Sequence, residues 1–146
     1  VERCGLTIEN LILEPIASSM AVLTEEEREA GVVLVDIGGG TTDVAVFYEN
    51  IIRHTAVIPF GGHIITSDIK EGCKIMDSQA EKLKVKFGTA IAEEADLNTY
   101  VSIPGLRGRP PKEISLRNLA HIIEARMQEI IELVHNEVIK SGYVNK

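Results

Sequence analysis

The stretch that most constrains the fold is residues 32–47, VVLVDIGGGTTDVAVF. Two runs rich in β-branched residues flank an aspartate, three glycines and two threonines. The apolar runs favour strands, and the Gly-rich segment favours a tight connection between them. A third apolar run follows the turn residues Glu49-Asn50, so we predict a three-stranded β-meander. The predicted strands are 32–36, 42–48 and 51–60.

The segment between the first two strands has the chemistry of a phosphate site. Three glycines allow positive φ and expose successive backbone N–H groups, which attract phosphate oxygens. Asp36 can hold a hydrated Mg²⁺, and Thr41 and Thr42 add hydroxyl donors. No Gly-Lys-Ser/Thr follows, and the glycines lead into a strand instead of a helix, so neither a P-loop nor a dinucleotide fingerprint fits. The alternatives are a nucleoside triphosphate site and a hairpin turn without a ligand.

The flanking residues predict further elements. Ile and Leu alternate with polar residues over 5–14, which favours a strand, and Pro15 suits the first turn of a helix. Residues 24–31, TEEEREAG, are charged and are expected to form a loop. After the meander, isoleucines at helical spacing predict a helix between Gly62 and Gly72.

The chain changes character between residues 73 and 114. Ser78 followed by Glu81 has the spacing of a capping box, so we predict a helix that begins there and ends at Gly88. A short strand and a Gly/Pro-rich loop at 106–113 come next. We interpret 73–114 as a small inserted α+β subdomain.

Residues 115–140 carry the longest helical pattern of the chain. Seven apolar residues recur at intervals of three or four and predict a helix of about 39 Å that packs against the core. These residues are Leu116, Leu119, Ile123, Met127, Ile130, Val134 and Val138. We therefore predict that 1–72 and 115–146 form one core subdomain, interrupted by the insertion.

Composition argues against several classes of function. The net charge of −7 repels a polyphosphate backbone, so nucleic acid is not an expected partner. The two cysteines, Cys4 and Cys73, are too few for a disulfide scaffold, and they do not cluster with histidines at the spacing of a zinc site. No apolar run approaches the roughly 18 to 20 residues that span a bilayer.

Four segments carry a family resemblance when taken together. They are DIGGGTTD at 36–43, EPIA at 14–17, PFGGHIITSDI at 59–69 and AEKLK at 80–84. They resemble the second phosphate-binding hairpin and neighbouring motifs of the actin, sugar kinase and heat-shock chaperone ATPase superfamily. Within it the chain resembles the FtsA family of bacterial cell-division proteins, whose long helix is similar to IIEARMQEIIELV at 122–134.

The resemblance implies a fold and a set of ligand contacts. The implied fold is one α/β lobe of an actin-like ATPase, of the ribonuclease H-like class, with a small inserted α+β subdomain. Asp36 would serve Mg²⁺ through water, and Glu81 and Lys84 would flank the ribose and adenine of ATP. The residues around the β and γ phosphates would be Gly38, Gly39, Gly40, Thr41 and Thr42. No catalytic base is evident. The nucleotide of such proteins lies between two lobes, of which this chain supplies one.

The resemblance also implies partners. FtsA proteins are polymerising adaptors that link the FtsZ ring to the membrane, in the cytoplasm at the inner face of the cell membrane at the division site. They self-associate into filaments, and their membrane segment is absent from this chain. The FtsZ C-terminal tail binds their inserted subdomain, which points to the basic residues Arg107, Arg109, Lys112, Arg117 and Arg126. Two alternatives stay open: these cations are only solvated surface charge, or the chain is a lobe of a sugar- or acid-kinase-type phosphotransferase.

Overall fold

A computed structural model describes residues 1–105 and 110–144. The helices are α1 Glu14–Val22, α2 Glu25–Ala30, α3 Gly62–Cys73, α4 Asp77–Phe87 and α5 Leu116–Ser141. The strands are β1 Val32–Ile37, β2 Thr42–Tyr48, β3 Ile51–Ile58, β4 Tyr100–Ile103 and β5 Lys112–Ser115. Single 3₁₀ turns occupy Glu2–Cys4 and Ala92–Glu94.

The chain divides into two compact units. Unit 1 comprises Val1–Asp36, Asp43–Val57 and Glu137–Lys146, and unit 2 comprises Ile37–Thr42 and Ile58–Asn136. The predicted insertion at 73–114 falls wholly inside unit 2, together with α3 and most of α5.

The larger sheet has the strand order β1-β2-β3, which confirms the predicted meander. Residues 44–47 of the central strand are buried, as expected for a strand with neighbours on both sides. Glu49 and Asn50 form the predicted turn with φ values of 54° and 61°. Their amides donate to the carbonyls of Glu29 and Arg28 at 3.1 and 3.0 Å, so the end of α2 holds this turn in place.

Two predictions for the N-terminal residues are wrong. Residues 5–13 are irregular, and Leu11 is 90% exposed, because no described strand offers the ladder partner that a strand needs. Residues 25–30 form α2, not a loop. Thr24 and Glu27 make a capping box, in which the Glu27 amide donates to Thr24 Oγ1 and the Thr24 amide donates to Glu27 Oε2. Hydrogen bonds from Thr24 also lower the pKa of Glu27.

The core of unit 2 lies between three helices and a hairpin. β4 and β5 pair antiparallel, with Val101 opposite Ile114, so the hairpin turns one apolar face towards the helices. The buried residues are Ile65, Ile69, Cys73, Ala80, Leu83, Ile103, Ile114, Leu119 and Ile123. Strand β5 was predicted as part of a loop, which is wrong: its four residues KEIS hold only one apolar side chain, too little for an alternating pattern.

The helices of unit 2 follow their predicted ranges closely, with one correction. α3 and α5 are confirmed, and α5 starts one residue after the predicted Ser115. α4 begins at Asp77 with Met76 as its N-cap, and the Met76 amide donates to Gln79 Oε1 at 3.1 Å. The predicted capping box of Ser78 and Glu81 is therefore wrong. No helix in the described ranges is long and apolar enough to cross a membrane.

Candidate functional site

The connection between β1 and β2, residues 38–41, is called the glycine turn here. The amide of Gly38 donates to the carbonyl of Thr41 at 2.8 Å and closes the turn. Gly39 and Gly40 are exposed, and over residues 1–105 and 110–144 their amides have no acceptor. Two adjacent exposed N–H groups of this kind can donate hydrogen bonds to an anion.

The glycine turn is joined to the start of α3. The carbonyl of Gly38 accepts from the Gly62 amide at 2.9 Å, and the carbonyl of Gly39 accepts from the His63 amide at 2.7 Å. The first amides of a helix lack partners inside the helix, so the turn satisfies two of them. The position of the turn is therefore fixed by α3.

Close approach of neighbouring groups explains Gly61 and Gly39 but not Gly40. None of Gly38, Gly39 and Gly40 has a positive φ, so the turn does not use the left-handed region that glycine allows. A Cβ on Gly61 would lie 2.5 Å from the Gly38 carbonyl oxygen, which is backbone and cannot swing away. A Cβ on Gly39 would lie 3.1 Å from the ring of His63, whereas one on Gly40 would meet nothing within 4 Å.

The two threonines of the motif differ in their surroundings. Thr42 is fully buried, and its hydroxyl donates to the carbonyl of Phe60 at 2.8 Å. That hydroxyl links β2 to the segment before α3, and its hydrogen is already donated within the protein. Thr41 is exposed.

A second group of polar side chains, the polar cluster, consists of Thr66 on α3 and Glu81 and Lys84 on α4. Lys84 Nζ donates to Thr66 Oγ1 at 2.8 Å and to the Gly62 carbonyl at 2.9 Å, and it lies 2.7 Å from Glu81 Oε2. The Thr66 hydroxyl also contacts Glu81 Oε2. Hydrogen bonds from Lys84 and then Thr66 lower the pKa of Glu81, so its carboxylate is held in the charged form.

The polar cluster was only partly foreseen. The motif at 80–84 pointed to Glu81 and Lys84, but Thr66 was missed as a functional residue. Two sequence signals could have found it: Thr66 lies in the segment at 59–69 that carries the family resemblance, and its position four residues after Gly62 puts both on the same face of α3.

Asp36 lies in unit 1 at the end of β1. Its carboxylate is exposed and accepts from Ser18 Oγ on α1 at 3.4 Å. Among the described residues no group of three or more His, Cys, Asp or Glu side chains could hold a metal ion. A single carboxylate fits Mg²⁺ that keeps most of its waters and binds phosphate oxygens, which is this ion's usual mode.

The basic residues that were predicted to bind a partner differ in their surroundings. Arg107 and Arg109 lie outside the described residues. Lys112 Nζ donates to the Cys73 carbonyl at 2.6 Å, and Arg117 Nε donates to His121 at 3.4 Å.

Arg126 makes ion pairs within unit 2. It pairs with Asp68 on α3 at 2.6 Å and with Glu129, and its guanidinium lies 5.5 Å from the ring centre of Phe60. The hydrogen bond to Asp68 is the main reason that the pKa of Arg126 is raised. This arginine joins α5 to α3.

Unit 2 also holds a groove that the sequence did not reveal. Its volume is about 300 Å³. Its lining is mainly apolar, with two lysines and a glutamine: Lys74, Ile75, Gln79, Ile103, Pro104, Gly105, Pro110 and Lys112.

Comparison with solved structures shows the fold. The crystal structure of MreB5 of Spiroplasma citri bound to ADP is similar with a TM-score of 0.74 and 21% identity, over 94% of this chain and 44% of that chain. The ethanolamine utilization protein EutJ from Carboxydothermus hydrogenoformans is similar with a TM-score of 0.59 and 25% identity, over 89% of this chain and 37% of that chain. The predicted fold class is confirmed: the chain is an α/β lobe of the actin-like type.

Comparison of sequences shows the family. The model of the family described as cell division protein FtsA matches residues 33–144. The cell division protein FtsA of Pseudomonas aeruginosa is 46% identical over 143 residues, which are 98% of this chain and 34% of that protein. That of Escherichia coli K12 is 45% identical over 140 residues, which are 96% of this chain and 33% of that protein.

The chain therefore belongs to the FtsA family of cell-division proteins, which confirms the predicted resemblance. It spans about a third of the length of these curated relatives. The matches favour this family over the sugar- or acid-kinase alternative.

Proposed function

We propose that this chain is part of the nucleotide-binding lobe of an FtsA-type adaptor that binds ATP and Mg²⁺. One observation carries the proposal: Gly62 connects the glycine turn with the polar cluster. Its amide donates to the Gly38 carbonyl, and its own carbonyl accepts from Lys84. The exposed amides and the charged side chains thus belong to one network inside unit 2.

Each predicted site residue has a proposed role. The backbone of Gly38–Gly40 and Thr41 surrounds the β and γ phosphates, since exposed amides suit phosphate oxygens, whereas the buried Thr42 hydroxyl supports the turn from inside. Asp36 holds Mg²⁺ through water, and Glu81 and Lys84 lie towards the ribose and adenine. Two crystal structures of MreB5 of Spiroplasma citri, bound to ADP and to AMPPNP, share the fold and support a nucleotide as the ligand. We also propose that the intact adaptor hydrolyses ATP slowly or not at all, and we assign no residue of this chain as a catalytic base.

Calorimetric titration with Mg²⁺–ATP tests this function. We expect clear binding by the intact protein and weak binding by residues 1–146 alone, because the second lobe is part of an actin-like site. Asp36→Asn in the intact protein should weaken binding about tenfold, because it removes the charge that holds the ion. Asp77→Asn, which changes an exposed carboxylate on α4, is the matched control and should bind like the wild type.

Two results would contradict the proposal. An intact protein that does not bind Mg²⁺–ATP would remove the nucleotide function. Tight binding by residues 1–146 alone would overturn the claim that the site needs a second lobe.

A second proposed function is docking of the FtsZ C-terminal tail. The groove of about 300 Å³ supports it, because isoleucine and proline side chains lie there beside Lys74 and Lys112. Replacing Arg107, Arg109 and Lys112 together by Ser should weaken tail binding. A variant with Lys82, Lys86 and Lys70 replaced by Ser removes the same charge elsewhere in unit 2 and should not. Equal affinity of the two triple variants would exclude this surface.

The remaining expectations concern the intact protein. We propose that it forms filaments and works in the cytoplasm at the inner face of the cell membrane at the division site. Membrane contact is made through a segment outside this chain, and residues 73–114 act as the inserted subdomain. A fluorescent fusion of the intact protein should form a ring at mid-cell, and a uniform distribution would contradict this location.

A further inference from the structure

We propose that Thr66 is a positioning residue, which fixes the carboxylate of Glu81 so that its second oxygen can accept hydrogen bonds from the ribose hydroxyls of the ligand. The inference rests on the proposed nucleotide function and assigns different tasks to the members of the polar cluster. Glu81 contacts the ligand, whereas Thr66 and Lys84 hold Glu81 in place.

Thr66 is a polar residue in a buried position. It is 4% exposed, and its hydroxyl has three neighbours: the Gly62 carbonyl at 3.2 Å, Lys84 Nζ at 2.8 Å and Glu81 Oε2. A hydroxyl donates one hydrogen, and Lys84 can only donate to it. Because a carboxylate is a stronger acceptor than a carbonyl, the hydrogen goes to Glu81.

Lys84 has no hydrogen to offer a ligand in this arrangement. An ammonium group carries three hydrogens, and three acceptors surround Nζ: the Gly62 carbonyl at 2.9 Å, Thr66 Oγ1 at 2.8 Å and Glu81 Oε2 at 2.7 Å. The Lys84 side chain is only 19% exposed. It braces the start of α3 against α4.

Glu81 keeps one oxygen available. Both of its contacts converge on Oε2, and in the described part of the chain Oε1 has no hydrogen-bond partner. The side chain is 45% exposed, so Oε1 can be reached from solvent. A charged oxygen held in place in this way suits a ligand with neutral hydroxyl donors, such as the vicinal diol of ribose.

The Thr66 hydroxyl keeps the carboxylate in this orientation. Without it, Glu81 Oε2 loses one of two donors, and the ammonium of Lys84 loses one of three acceptors. The carboxylate can then rotate and offer both oxygens to Lys84. The ligand-facing oxygen would no longer be fixed.

The test compares the affinities of the intact protein for Mg²⁺–ATP and Mg²⁺–2′,3′-dideoxy-ATP by calorimetry. The wild type should prefer ATP about tenfold, as expected for one hydrogen bond to a charged group. Thr66→Val keeps the shape without the hydroxyl and should reduce this preference below about threefold. Thr66→Ser restores the hydroxyl and should restore the preference, and Ser67→Ala is a neighbouring control that should retain it.

The outcomes separate this inference from the proposed function. A Thr66→Val protein that keeps the tenfold preference, or that loses affinity for both nucleotides equally, overturns the positioning role. Glu81→Gln must also lose the preference, and it provides the test if Thr66→Val fails to fold. A wild type that binds both nucleotides equally overturns the inference and leaves the nucleotide function standing. A wild type that binds neither overturns both.

Discussion

Two turns connect the three strands of the larger sheet, and they are built from different residues. The turn between β2 and β3 consists of Glu49 and Asn50, which both adopt positive φ without being glycine. The turn between β1 and β2 contains Gly38, Gly39 and Gly40, none of which has positive φ. In the β1–β2 turn the glycines thus stand where the backbone conformation does not require them.

The comparison indicates that the β2–β3 turn only reverses the chain, whereas the β1–β2 turn also has a functional role. A non-glycine residue in the left-handed region costs roughly 1 to 2 kcal/mol, and the β2–β3 turn tolerates this at two positions. In the glycine turn the missing side chains permit contact with Gly61 and His63 and expose two amides. These features serve a bound anion better than they serve chain reversal.

The largest effect is expected from Gly61→Ala. The added Cβ would lie 2.5 and 2.9 Å from two backbone carbonyl oxygens of the glycine turn, which must move with the whole turn. We expect a loss of about 3 kcal/mol in the free energy of unfolding, measured in urea, and loss of ATP binding by the intact protein. Gly40→Ala, where nothing lies within 4 Å, is the matched control. Equal stability of the two variants would refute the close-approach argument.

A smaller effect is expected from Thr42→Val. The change removes a hydrogen bond of 2.8 Å and leaves the carbonyl of Phe60 without this donor, so stability should fall by about 1 to 2 kcal/mol. Thr55→Val on β3 is an exposed control and should change the free energy of unfolding by less than about 0.5 kcal/mol. If Thr42→Val is as stable as this control, the buried hydroxyl does not hold the turn in place.

Asn50→Gly tests the other turn. Glycine adopts a φ of 61° without steric cost, so this variant should be more stable than the wild type by about 0.5 kcal/mol. Chemical denaturation of the variant and the wild type measures the difference. ATP affinity should not change, and a change would mean that the two turns are not separate in function.

The smallest effect concerns acid stability. The pKa of Glu81 is lowered in the folded chain, chiefly by the hydrogen bond from Lys84. A lowered folded-state pKa adds stability above the unfolded-state value, and this stability is lost as pH falls through the folded-state value. Glu81→Gln should therefore show a shallower loss of stability than the wild type below about pH 4.3, measured by urea denaturation at stepped pH. Parallel curves would exclude the charged pairing.

Long patterns made most of the fold predictable from the sequence. The meander, α3 and α5 have apolar repeats that extend over many residues, so local rules were sufficient. β5 has four residues with one apolar side chain, and its pairing depends on β4. Residues 5–13 have the pattern of a strand, but pairing requires a partner that the described residues do not supply.

The sequence motifs indicated the residues of the candidate site but not the contacts between them. The motif indicated the glycine turn, Glu81 and Lys84, but not that Lys84 is saturated by Gly62, Thr66 and Glu81. That arrangement depends on the packing of α3 against α4, which no local pattern encodes. The close approach of Gly61 to Gly38 could not be predicted from a local pattern either, because the two residues are 23 positions apart in the sequence.

The most direct test of the account follows the backbone amides of both turns by NMR while Mg²⁺–ATP is added to the intact protein. The amide resonances of Gly39 and Gly40 should shift along one saturable curve, and those of Glu49 and Asn50 should stay in place. Saturable binding of ATP without a shift at Gly39 and Gly40 would contradict the claim that the glycine turn receives the phosphates.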